Sequence, residues 1–190
     1  MHVYLETERL TLREFTEDDA ERLFALDTDP DVMRYIGPFM PKSVDESRAK
    51  IRSWIEKYYS AGRGLGVWAA IEKSTGEFLG WFCLRPGSDW VFAHLSGWGP
   101  DDLEMGYRLH KAAWGKGYAT EASRAIVRKA FTELDAKRIV SSALLSNVAS
   151  WRVMEKVGLK RVQQFPLPGY DSPDVTYALA REDYESGPTV

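Results

Sequence analysis

A single cysteine, Cys83, in a chain of 190 residues excludes a disulfide framework and any thiolate metal cluster, since both need a second sulfur. It lies within an apolar run and is expected to be a small core residue. Histidine is nearly as scarce: His2, His94 and His110 are far apart, none stands in a zinc-binding spacing, and no metal is expected. No apolar run approaches the roughly 18 residues that cross a bilayer, and the first nine residues lack the basic-then-apolar pattern of a secretory leader, which points to a cytoplasmic protein with no membrane partner. Linkers rich in Pro, Gly and Ser are missing, as are repeats, so residues 1–184 read as one domain and 185–190 as a flexible tail. A net charge of −3 gives no electrostatic ground for nucleic-acid binding, and none is expected.

What the chain does contain is an alternation of strand-like and helix-like patterns. Leu10 and Leu12 alternate with polar neighbours as in a half-buried strand, and Thr16 with Asp19 can cap the helix that follows. Asp29-Pro30-Asp31 breaks that helix, and 32–39 is an apolar stretch between breakers, suited to a substrate-facing loop. Ser43 and Glu46 form a second capping signature, ahead of Ile51, Trp54, Ile55 and Tyr58 on one helical face. A hairpin follows (67–71 and 78–84), then an irregular aromatic connection (85–100), then a strand at 103–109 whose Gly106 hints at close backbone approach. A deeply packed helix after residue 118, a strand at 138–145, a helix at 147–157 closed by Gly158, and strands at 159–165 and 174–180 complete an α/β pattern.

The stretch Trp114-Gly-Lys-Gly-Tyr-Ala-Thr-Glu121 sits between a strand and a helix. Without Cβ atoms, Gly115 and Gly117 let the backbone take positive φ and approach a ligand, while the first free amides of the helix face an anion. Three phosphate-binding readings compete. The four-residue spacing of a Walker loop is absent. A Rossmann fingerprint needs glycine or alanine where Thr120 stands; Asp135 is near the expected acidic spacing, yet the motif arrives after several strands and two helices.

The third reading comes from four blocks in order: Glu8-Arg-Leu-Thr-Leu-Arg with Asp31-Val-Met-Arg-Tyr-Ile-Gly37, Glu104-Met-Gly-Tyr107, Trp114 to Ala122, and Asn147-Val-Ala-Ser150 running on to Leu159. In these the chain resembles the GCN5-related N-acetyltransferase (GNAT) superfamily, and within it the group like the ribosomal-protein N-terminal acetyltransferases. The resemblance implies a single-domain fold with a mixed, mostly antiparallel sheet of about six to seven strands, splayed at the cofactor site, and about four helices. It implies acetyl transfer from acetyl-CoA to a primary amine, on a protein N-terminus or a small molecule, by direct attack in a ternary complex; a homodimer would be in keeping with the family. Gly115, Lys116, Gly117, Tyr118, Ala119 and Thr120 would hold the pyrophosphate, mainly through backbone N–H groups. The strand ending near Leu109 would splay from its neighbour so that pantetheine pairs with backbone at Tyr107 and Leu109, and Asn147 would contact the cofactor arm or simply cap its helix.

For the chemistry, the resemblance makes Glu104 the base, directly or through water. How much base is needed depends on the amine: an α-amino group near pKa 8 is about one-tenth neutral at pH 7, a lysine near 10.4 about one part in a few thousand. Many family members carry a tyrosine seven residues after the helix-start asparagine; here Met154 stands there, and Ser150 is the candidate donor to the departing thiolate. A backbone N–H between Met105 and Tyr107 would stabilise the oxyanion. Met33, Tyr35, Trp90 and Trp98 are expected to shape the acceptor pocket. Two readings from other classes stand beside this one: a noncatalytic acyl-CoA-binding regulatory module, and a Rossmann-type nucleotide-binding domain.

Overall fold

Strict alternation of apolar and polar side chains makes Leu103–Leu109 a strand with the bounds expected of it. It is the fifth of eight strands in the computed structural model, which describes residues 2–37 and 40–187: β1 (Val3–Glu6), β2 (Leu10–Glu14), β3 (Gly66–Glu72), β4 (Phe78–Pro86), β5 (Leu103–Leu109), β6 (Arg138–Leu144), β7 (Lys160–Phe165) and β8 (Asp174–Ala180). Seven α-helices accompany them: α1 (Ala20–Thr28), α2 (Pro30–Met33), α3 (Val44–Trp54), α4 (Ala93–Ser96), α5 (Tyr118–Thr132), α6 (Val148–Lys156) and α7 (Arg181–Ser186). The expected count of strands and helices is therefore too low. The missed elements are β1, α2, α4 and α7, each one turn or four residues or little more, too short for periodicity to register in sequence. Glu185 and Ser186, expected in the tail, close α7, while Pro188–Val190 lie outside the described residues, as do Pro38 and Phe39 of the expected substrate loop.

The residues group into two compact units, 1–83 with 107–122 and 84–106 with 123–190, so that β4, β5 and α5 each contribute to both. In the first, strands follow the order β1-β2-β3-β4-β5. Antiparallel pairing joins β1 to β2 and β2 to β3, with Leu12 opposite Ala70. The core is the apolar face of α1 and α3 laid on this sheet: Phe15, Leu23, Ile51, Trp54, Val67 and Cys83 are all buried, Cys83 among them as a small core residue. Both capping signals are used. Thr16 N–H donates to Asp19 Oδ2 at 3.0 Å, and Glu46 N–H donates to Ser43 Oγ at 3.2 Å. Asp19 is also held by Arg13 through two hydrogen bonds of 2.6 and 2.7 Å, a buried fork-to-fork ion pair that ties β2 to the start of α1.

In the second unit the order is β4-β5-β6-β8-β7. The β6–β8 ladder is antiparallel over seven residue pairs, Arg138↔Ala180 to Leu144↔Asp174. The β5–β6 pairing is parallel and short, limited to Leu103↔Ile139 and Glu104↔Val140. After Glu104 the register ends while both strands continue. Tyr177, on the opposite sheet face from its neighbour Thr176, donates to Glu155 of α6 at 3.2 Å, which assigns α6 to the odd-numbered face of β8. A doubly wound parallel sheet, which the Rossmann reading needs, is thus not what this chain builds.

Candidate functional site

Of the residues expected at the cofactor, Tyr107, Leu109 and Gly115 to Thr120 belong to the first unit and Asn147 to the second. Gly115 and Gly117 adopt φ of 71° and 86°, the left-handed region where a Cβ is strained, and a Cβ at Gly115 would meet nothing within 4 Å. The loop is exposed, and Tyr118 begins α5, whose first amides have no carbonyl of their own helix to bond. Open backbone, two left-handed glycines and a fifteen-residue helix starting there leave free amides facing outward, an arrangement that can bind an anion.

The cradle is held from β2's approach. Arg9 donates through Nε to Glu121 Oε2 at 2.6 Å and through Nη1 to the carbonyl of Lys116 at 2.9 Å. Glu121 Oε1 accepts from the Arg9 amide at 2.9 Å and the Thr7 hydroxyl at 2.6 Å. Burial pushes the Glu121 carboxyl upward, but the bonds from Thr7 and Arg9 outweigh it and leave the group below its ordinary range. The Arg9 guanidinium also lies 4.5 Å over the ring of Tyr118, whose hydroxyl donates to Glu72. Neither Arg9 nor Glu121 was singled out as a site residue from sequence. The sign of their charges was visible there, but their pairing was not.

On β5, His110 N–H donates to Leu79 of β4 at 2.9 Å, so alternation turns the backbone groups of Tyr107 and Leu109 toward the other edge of the strand. There the Leu109 carbonyl accepts the indole N–H of Trp114 at 2.8 Å. Met33 is buried in α2 and Tyr35 lies 5.1 Å beneath the Arg34 guanidinium. An ion pair of 2.7 Å between Asp31 and Lys111 fastens α2 to the chain just before the glycine loop.

The second unit holds the proposed chemistry. Glu104 is 8% exposed, and its Oε2 accepts from Arg85 Nε at 2.6 Å; no other hydrogen bond engages the carboxylate among the described residues. Met105 beside it is buried. Asn147 caps α6, accepting from the Ser150 amide at 3.4 Å, so the capping use of this asparagine is realised. The Ser150 hydroxyl forms no hydrogen bond among the described residues, unlike a first-turn serine bonded back to its own helix. Glu104 is level with Val140, whereas Asn147 follows the end of β6 at Leu144, so these candidates stand at different heights along the sheet. Trp90 and Trp98 pack on one another with centroids 4.8 Å apart, and Trp90 extends the cluster to Phe92 and Phe165.

Among the described residues no group of three or more His, Cys, Asp or Glu side chains is placed to hold a metal ion, and no helix is long and apolar enough to cross a membrane.

Comparison with known proteins gives one family. The pattern of the acetyltransferase (GNAT) domain matches residues 9–160. A protein of Aspergillus fumigatus named FsC-acetyl coenzyme A-N(2)-transacetylase is 32% identical over 186 residues, covering 95% of this chain and 77% of its own. The crystal structure of a GNAT-family acetyltransferase from Bacillus anthracis superposes with a TM-score of 0.76 at 25% identity, covering 96% of this chain and 99% of that one. An aminoglycoside acetyltransferase crystallised with coenzyme A shares the fold, at a TM-score of 0.69 and 20% identity over 93% of this chain and 97% of that one.

Proposed function

We propose, because this chain belongs to the GNAT acetyltransferase family and is an acetyl-CoA-dependent N-acetyltransferase, a division of labour in which residues 115–120 hold the cofactor and Glu104 and Ser150 serve the transfer. The observation that carries the cofactor half is the glycine loop: two left-handed glycines, open backbone and helix amides, anchored by Arg9 and Glu121. Acetyl-CoA brings an acyl group activated as a thioester. Backbone N–H groups of Gly117 to Thr120 neutralise its diphosphate, and the edge of β5 at Tyr107 and Leu109 offers backbone groups to its arm.

Glu104 takes the proton of the acceptor amine, directly or through one water. Its Oε2 is oriented by Arg85 and Oε1 is left to accept. Ser150 gives a proton to the departing thiolate; its unengaged hydroxyl supports that role, and so does its position three residues after Asn147 in a chain where Met154 replaces the usual tyrosine. A backbone N–H of Met105 to Tyr107 meets the developing oxyanion. One N-acetyltransferase domain spans residues 1–184, and the acceptor is a primary amine.

Thiol release from acetyl-CoA over a panel of small amines and N-terminal peptides tests this reading. Stabilisation by acetyl-CoA but not by NAD, together with amine-dependent thiol release, is the expected result. Binding of acetyl-CoA without thiol release from any amine would leave an acyl-CoA-binding module instead.

A further inference from the structure

Asp174 and Thr176 of the second unit each bury one side-chain oxygen that has no hydrogen-bond partner among the described residues. Asp174, 3% exposed, has no hydrogen bond to Oδ1, and Thr176, 1% exposed, has none to its hydroxyl, among the described residues. They stand two residues apart on β8 and so share a sheet face. Register extends that face. Thr176 is opposite Ser142 of β6, Asp174 is opposite Leu144 of β6 and Phe165 of β7, and Val140 of β6 is level with Glu104 of β5. Residues opposite one another present their side chains to the same side, so Glu104, Ser142, Thr176 and Asp174 all project from one face, the one turned away from α6.

Aromatic rings cover that face near Asp174. Phe165, opposite it, meets Trp90 at 6.4 Å, and Phe92 joins Trp90 to Tyr170 at 5.7 and 6.2 Å. Burial pushes the Asp174 carboxyl up to about 7, against a hydrogen bond from Ser142 that lowers it; burial, and then the nearness of Asp174, also raise the Tyr170 hydroxyl. A buried carboxyl with unmet acceptor capacity beside π faces is a poor structural element. It is a good receptor for an ammonium, which donates three N–H bonds and is attracted to ring faces.

We propose that Asp174 and Thr176 bind a second ammonium group of the acceptor, so that the preferred substrates are small compounds with two or more amines; this rests on the acetyl-transfer reading, with Glu104 at the reacting amine. The spacing decides for a second group over the reacting one. Asp174 lies two strands over and four register steps along from Glu104, about 10 Å and about 13 Å, which leaves on the order of 10 Å between carboxylates once side-chain reach is taken off. One amine cannot touch both. A diamine of about eight methylenes can.

The test compares 1,8-diaminooctane with octylamine, matched in length and reacting group, by thiol release from acetyl-CoA at pH 8, where Asp174 is mostly ionised. The wild-type protein is expected to favour the diamine in kcat/KM by about tenfold or more, the value of a charge-assisted hydrogen bond. In Asp174→Asn, which keeps the shape, the ratio falls to within about twofold of unity, and Thr176→Val reduces it in part. Thermal denaturation of each variant confirms folding, and calorimetric titration of diamine into the coenzyme A complex reads binding where neither amine turns over. An equal rate with both amines in the wild type, a ratio unmoved by Asp174→Asn, or diamine binding equal in both proteins overturns the proposal. Failure of wild-type protein to bind acetyl-CoA counts against the acetyl-transfer reading instead.

Discussion

Arg9 reaches across 112 residues of sequence to Glu121 and, with the same guanidinium, fixes the Lys116 carbonyl at 2.9 Å, so one side chain sets both the first turn of α5 and the loop before it. Replacing it by Met keeps the stem and removes the fork. Acetyl-CoA affinity is then expected to fall about tenfold, the worth of one or two charge-assisted bonds, with kcat less affected. Calorimetry of acetyl-CoA binding measures it, and unchanged affinity would mean that the loop holds its shape unaided.

Gly117→Val places a branched side chain at φ 86°. The left-handed backbone costs on the order of 1–2 kcal/mol for such a residue. Lower thermal stability and weaker acetyl-CoA binding are both expected, the second because the side chain crowds the cradle; affinity equal to wild type would contradict the pyrophosphate placement.

Glu104→Gln retains the shape and an acceptor for Arg85 but cannot take a proton. Turnover at pH 7 should drop about 100-fold or more, the usual contribution of a positioned base, with acetyl-CoA affinity little changed. Equal turnover in the two proteins would remove the base assignment.

Ser150→Ala removes a hydroxyl that no hydrogen bond within the described residues uses, so stability should change by less than about 0.5 kcal/mol. A fall in kcat without a fall in Tm supports proton donation. A loss of both would make the residue part of the α6 cap.

Asp174 carries a pH signature. Its carboxyl titrates near 7 in the folded chain and near 4 once unfolded, so the folded state holds the proton more tightly. Its contribution is therefore fully present below about pH 4 and is lost as pH rises through 7, by about 4 kcal/mol in the limit of a three-unit shift. Asp174→Asn should raise Tm at pH 8, with the gain shrinking toward pH 4. A constant difference across that range would show that burial does not control the group.

The cofactor loop was legible in sequence because its chemistry is local: Gly115, Gly117 and the start of α5 lie within a few residues, and their backbone freedom is a property of residue type. Strands such as Leu103–Leu109 were legible for the same reason, through alternation. The partners were not. Arg9 with Glu121 and Arg85 with Glu104 meet only once strands and helices are placed, and nothing in their flanking residues selects one carboxylate over another. Asp174 is the extreme case, an ordinary polar residue after Pro173 in sequence. Its burial comes from the order β6-β8-β7, which sets it between two ladders and beside Phe165.

The two-pair register of β5 and β6 also bears on how this protein behaves in a test tube. Backbone donors and acceptors that stop pairing in mid-strand are chemically the same as those on an exposed sheet edge, and such edges recruit strands from other chains. A ligand arm laid along β5 beyond Glu104 would cover that edge. Concentrated, ligand-free protein should therefore self-associate more readily than protein kept with coenzyme A, and light scattering with and without coenzyme A would register the difference before any enzymatic assay is run.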